Sequence, residues 1–184
     1  MGIIKPVKPV KFFCGLTFQP QIDIARLLTE VEKRFDLIDL TSDTYDFDAF
    51  TDYYRPEMGD GLRKLFIAFR TLRPMEELVE LKLRSNQFEA EYMKEDSRTF
   101  NLDPGYLNLA KVVLATTKDY SHRLYLGKGI YGDLHLVFRA GNYQPQPWTY
   151  PDYKQPLAAE FFLQLREIYR DQLQFYLKDL HKNT

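Results

Sequence analysis

The densest concentration of reactive side chains lies between Asn101 and Leu126, in NLDPGYLNLAKVVLATTKDYSHRLYL. Lys111 is the only charge between Asp103 and Lys118, and the stretch closes on Lys118, Asp119, His122 and Arg123. A lysine held among apolar residues is partly desolvated, which suits it to bind an anion or act as a base. The competing reading is a lysine whose stem packs while its ammonium reaches water. Lys118 and Arg123 supply cations, His122 a titratable imidazole and Asp103 a carboxylate, a set suited to phosphate or carboxylate recognition. Upstream, the polar aromatic loop TDYYRPEMGDG adds Tyr54 and Glu57. The expected ligand-binding residues are therefore Tyr54, Asp103, Lys111, Lys118 and Arg123. His122 or Glu57 is the acid–base candidate if chemistry occurs.

Other chemistries have weaker support. Glu57, Glu89, Asp103 and His122 show no H-x-x-x-H or paired-carboxylate spacing, so no metal and no cofactor is implied. Cys14, the single cysteine, follows Phe12 and Phe13 within an alternating run and reads as core rather than nucleophile. No G-x-x-x-x-G-K-[ST] loop is present, and Thr117-Lys118-Asp119 is one residue short of the guanine-reading N/T-K-x-D motif. LGKGIYGDL, residues 126–134, does match G-x-G-x-x-G, but no helix follows it and no kinase signature accompanies it. The bland reading is a hairpin that uses glycine where φ is positive.

The elements that must position these groups follow from the pattern of apolar residues. A length of 184 residues fits a single domain over 1–184 with a sizeable core, and 15% aromatics make that core ring-rich. A net charge of −1 gives no global field for nucleic acid or anionic membrane, so RNA is disfavoured as a partner. MGIIKPVKPVKFF has no sustained apolar core for a signal peptide, and no run approaches a membrane span. A cytoplasmic protein is the simple expectation, and oligomeric state is left open.

Alternation predicts strands at Lys11–Phe18 and Leu62–Leu72. Helical spacing predicts helices from Pro20 to about Arg34 and from Pro74 to about Ser85. Leu37–Phe50 is β-like, with a break at Ser42-Asp43. Gln87–Tyr92 alternates and predicts a strand, and Arg98–Leu102 a short returning one. This β-α-β-β-α-β order is that of the ferredoxin-like split βαβ unit, with both helices on one sheet face. Asp103-Pro104 reads as an N-cap and first helical position, giving a helix to about Thr117. The β-branched pair Val112-Val113 keeps a strand from Lys111 to Thr117 as the alternative. His122–Leu126 and Leu134–Phe138 form a hairpin, Gly141–Pro156 a rigid loop, and Leu157–Leu180 a long closing helix. The fold class is α+β: a ferredoxin-like core extended by antiparallel strands and a C-terminal helix.

The run NLDPGYLNLAKVVLATTKD, followed by HRLYL, GIY and PWTYPDY and preceded by YYRPEMG, resembles a prokaryotic family of small proteins known as a domain of unknown function. The resemblance spans nearly the whole chain. It implies no activity, although some members carry the label GTP-binding protein.

Two functions follow. The first is a pocket for an anionic small molecule, a nucleotide or phosphoester. The second is a non-catalytic RNA- or protein-binding module using an open sheet face with Lys64, Phe66, Arg70, Arg123, Tyr125, His135 and Arg139, together with the Trp148 loop. They differ in whether the closing helix covers that face.

Overall fold

The computed structural model describes residues 2–3, 6–95 and 97–182. It is an α+β structure built on one antiparallel sheet with a long C-terminal helix. The elements are β1 (Val10–Phe18), α1 (Ile24–Arg34), β2 (Ile38–Thr41), β3 (Tyr45–Asp46), α2 (Arg55–Met58), β4 (Arg63–Arg73), α3 (Leu78–Glu91), β5 (Phe100–Leu107), β6 (Lys111–Thr116), β7 (Arg123–Gly127), β8 (Ile130–Arg139), β9 (Asn142–Pro145) and α4 (Pro156–Lys182). The sheet runs β2-β4-β1-β5-β6-β8-β7, with β3 added to β4 and β9 to β8.

Alternation along β1 assigns its two faces. Phe12, Cys14, Leu16 and Phe18 pack with Leu27 and Val31 of α1 and with Leu78, Leu81 and Phe88 of α3. Both early helices therefore cover the same side, as their apolar stripes require. Asp23 starts α1 by accepting the Arg26 N–H (3.1 Å). On the other side, Phe13 and Phe66 meet Phe161, Phe162, Leu165 and Tyr169 of α4. Phe13 and Phe162 sit edge to face at 5.0 Å.

The second face is thus closed by the C-terminal helix. Lys64, Phe66 and His135 of the expected open surface are buried. The exposed basic, aromatic platform is not there, because α4 covers the apolar half of that face and the chain around Tyr45–Met58 and Tyr150–Tyr153 covers the polar half.

Three local expectations are corrected. Gln87–Tyr92 is not a strand: α3 continues to Glu91, since Leu81, Ser85, Phe88 and Glu89 are all buried at helical spacing. Asp103-Pro104 does not start a helix, for Asp103 is engaged by Lys82 and Asn101 and both residues lie within β5. Lys111–Thr116 is the strand β6. The segment from Gly141 is a loop only in part, holding β9 and a 3-10 turn at Pro151–Lys154. Positive φ at Lys128 and Gly129 makes the β7–β8 turn, so the glycine motif serves a hairpin.

The sheet opens between β5 and β6. β5 stays paired with β1 as far as Phe100, but with β6 only at Gly105–Leu107 against Val112–Leu114. At the last contact a Cβ on Gly105 would stand 2.6 Å from the Val113 carbonyl oxygen, so only glycine lets the strands meet there. The next β5 residue toward the opening is Pro104, which has no N–H to leave unpaired. The Leu102 N–H, two residues further, donates to Glu89 Oε1 (2.8 Å) of α3. A helix carboxylate has replaced the missing strand neighbour.

Candidate functional site

Two adjoining cavities lie at this opening. The first, ≈ 290 Å³, is lined by Lys82, Asn86 and Glu89 of α3, Asn101 and Asp103 of β5, Arg98, and the run Leu114–Lys118. The second, ≈ 230 Å³, is lined by Phe47, Thr51, Tyr120, Arg123, Pro151 and the Lys64–Asp152 pair. Tyr53, Tyr54, Asp103, Lys118 and Tyr150 line both.

Each wall is built by a charge pair across elements distant in sequence. Asp103 accepts Lys82 Nζ at 3.1 Å and Asn101 Nδ2 at 2.7 Å, with the Tyr54 hydroxyl at 3.5 Å. Burial opposes its ionisation, but Lys82, Lys64 and Asn101 outweigh that and hold its carboxyl below the ordinary range. Arg98 donates both Nε–H (2.5 Å) and Nη2–H (2.7 Å) to Glu57, and Nη1–H to Glu89 (2.9 Å) and Asn101 (2.6 Å). It thereby fastens α2, and the Tyr53–Tyr54 pair before it, to α3 and β5. Its hydrogen bonds hold Glu57 below the usual carboxylate range, while burial pushes the Glu89 carboxyl up.

Under the second cavity, Lys64 Nζ meets Asp152 at 2.6 Å, both almost fully buried, and Tyr45 donates its hydroxyl to the same carboxylate (2.9 Å). Gly15 makes room for this lysine, since a Cβ there would lie 3.0 Å from Lys64 Cε. Arg123 donates to Asp133 (3.0 Å) and to the Tyr150 hydroxyl (3.1 Å). Burial pushes the Tyr150 phenol up to about 12, so it stays protonated. Behind it His135 is fixed in one tautomer. Its Nδ1 lies 3.3 Å from Asp133 and its Nε2 accepts the Tyr150 N–H at 3.1 Å. Burial lowers its pKa and keeps it neutral.

Of the residues expected from sequence, Tyr54, Asp103, Lys118 and Arg123 converge on these cavities. Lys111 does not. It begins β6, five residues and roughly 17 Å of strand from Thr116, with its N–H on the Asn108 side chain, and it lines neither cavity. Glu57 stands one layer back, tied to Arg98. His122 also lines neither cavity; it stacks on Trp148 at 4.6 Å, and its Nε2 is 3.4 Å from Asp133. Sequence reasoning missed Lys82, Arg98, Asn101 and Tyr150 as lining groups, and placed Lys64 on an exposed face. Their partners lie far along the chain, so no local spacing marks them. No group of three or more His, Cys, Asp or Glu placed to hold a metal occurs among the described residues. No helix among them is long and apolar enough to cross a membrane.

A family described as Domain of unknown function (DUF4416) matches residues 8–169. The chain belongs to that family. Neither the curated proteins nor the solved structures include a match to it.

Proposed function

We propose that this member of the DUF4416 family binds an anionic small molecule, a nucleotide or another phosphoester, in the joined cavities beside Lys118. One observation carries the reading. Five cations line the cavities, and four are spent on carboxylates: Lys64 on Asp152, Lys82 on Asp103, Arg98 on Glu57 and Glu89, and Arg123 on Asp133. Lys118 alone among them forms no ion pair with a described residue; its ammonium contacts the Tyr53 hydroxyl and ring at the junction of the two cavities. An unspent ammonium beside tyrosine rings suits an anionic group on a molecule with a flat part. One free cation matches one anionic group, which favours a monoester over a polyphosphate.

The reading is one of binding. Glu57 and His122, the acid–base candidates, stand behind the cavity lining and lend no support to a reaction. The core plan β2-β4-β1-β5, antiparallel with α1 and α3 on one side, supports a ferredoxin-like origin for the first half of the chain. A single domain in the cytoplasm completes the proposal. The test is a thermal-shift screen of inorganic phosphate, phosphomonoesters, nucleotides and carboxylates. A ligand bound only by the folded chain raises the melting temperature by mass action. At least one phosphomonoester should do so in a saturable way; no response from any anion at millimolar concentration would overturn the reading.

A further inference from the structure

The opening between β5 and β6 leaves a free backbone N–H on one of its two sides only. Along β6 the backbone alternates: the Ala110 carbonyl accepts the Phe138 N–H on the β8 side, and the Lys111 carbonyl accepts the Asn108 N–H on the β5 side. The same alternation turns Val113 and Ala115 toward β5. The Thr117 N–H, which opposes the β8-facing Thr116 carbonyl across one peptide plane just past the strand end, points the same way. The Val113 carbonyl is indeed the atom against which Gly105 packs. β5 has separated from β6 by the next pair, so the Ala115 carbonyl and the Thr117 N–H face the first cavity, which both residues line. On the β5 side, Pro104 has no amide to offer and the Leu102 amide is taken by Glu89. A carbonyl at one residue and an N–H two residues on form an acceptor–donor pair at strand spacing, the pattern to which a neighbouring strand normally bonds.

We infer that this exposed edge of β6 reads a flat heterocycle through the Ala115 carbonyl and the Thr117 N–H. The ligand class is a ring with adjacent donor and acceptor, a lactam or amidine edge such as a nucleobase carries. The surroundings fit a ring rather than a peptide strand. Tyr53, Tyr54 and Tyr150 line the same cavity, and ≈ 290 Å³ takes a ring but not an added strand. Asn86, whose side-chain amide has no partner among the described residues, lines the cavity too and supplies a further donor and acceptor. Lys118 follows Thr117 directly, so a ring held on the edge carries its anionic substituent toward the free ammonium. The inference rests on the anionic-ligand reading for that second contact only.

The experiment titrates the full chain with the adenine, guanine, cytosine and uracil nucleoside 5′-monophosphates. Ribose 5-phosphate serves as the base-free probe and the four nucleosides as phosphate-free probes. At least one monophosphate should bind about tenfold or more tightly than ribose 5-phosphate. Thr117→Pro, which removes the N–H after a residue already extended, should erase that preference, whereas Thr117→Ala should keep it. Should Thr117→Pro fail to fold, the preferred base methylated at its donor nitrogen decides the matter: it must lose about tenfold. Equal binding of ribose 5-phosphate and all four monophosphates overturns the inference and leaves the anion reading standing. Nucleosides that bind as tightly as their monophosphates overturn the anion reading and leave the edge intact. A folded Thr117→Pro with unchanged preference, a methylated base that binds as well, or no base-containing probe bound at all, refutes the inference.

Discussion

Replacing Lys64 by methionine removes a charge from one of the most enclosed places in the molecule. Side-chain exposure is 4% for Lys64 and 2% for Asp152, and the two charges are 2.6 Å apart. The ammonium is caged by Phe47 (4.9 Å), Tyr153 (5.0 Å) and Phe66 (5.6 Å). Methionine keeps the stem's volume, so no large cavity opens. What is left is a carboxylate with only the Tyr45 hydroxyl as a hydrogen-bond partner. Breaking a buried pair from one side costs about 3–5 kcal/mol. At about 2–4 °C per kcal/mol for a chain of this size, the melting temperature should drop by roughly 6–20 °C. Removing the stranded charge as well, in Lys64→Met with Asp152→Asn, should recover a large part, because Asn still accepts the Tyr45 hydroxyl. The assay is urea unfolding of wild type, both single variants and the double variant, read as a double-mutant cycle. A Lys64→Met loss below about 1 kcal/mol, or a double variant no better than the single, would refute the assignment of this pair as a buried support of the site.

Three further outcomes follow from the same geometry. Gly105→Ala should cost roughly 1–3 kcal/mol in urea unfolding, because its Cβ would press on a backbone oxygen at 2.6 Å and on Phe13 at 2.7 Å. His135 is held neutral by burial, so its folded pKa lies below the unfolded value of about 6.5. As pH falls through about 6.5 the unfolded chain gains a proton that the folded chain refuses, and stability is lost until the folded pKa is reached. Melting curves between about pH 8 and 5 should therefore flatten in His135→Gln relative to wild type, whatever the variant's absolute stability. Arg98→Met should free α2 from α3 and β5, and limited proteolysis should then cleave between Asp48 and Gly61 faster than in wild type.

Strong alternation made β1 and β4 legible to within a residue or so, and helical spacing placed α4 to within two residues and the end of α1 at Arg34. The start of α1 lies at Ile24 rather than Pro20, because Asp23 and not the proline caps it. Gln87–Tyr92 reads as a strand because Phe88, Ala90 and Tyr92 alternate, yet Leu81, Ser85 and Phe88 keep the helical spacing that prevails. Burial of Glu89 beside Arg98 and the Leu102 amide decided for helix, and that contact has no local signature. Asp103-Pro104 carries the residues of a helix start, yet Lys82 lies 21 positions upstream and takes the carboxylate that would have capped it. The cluster at Lys118 and Arg123 was visible as charge beside an apolar run. Lys111 shared that description, but it stands at the far end of the same strand, which chain position alone does not reveal.

The central claim is that Lys118 binds the anionic group of a ligand in the cavities at the β5–β6 opening. Calorimetric titration of the tightest anion from the thermal-shift screen into wild type, Lys118→Met and Lys111→Met tests it most directly. Loss of a charge-assisted hydrogen bond of about 1.5–3 kcal/mol should weaken Kd by roughly ten- to a hundredfold in Lys118→Met. Lys111→Met should bind as wild type does. Unchanged affinity in Lys118→Met, with the loss falling on Lys111→Met or on neither, would contradict the account.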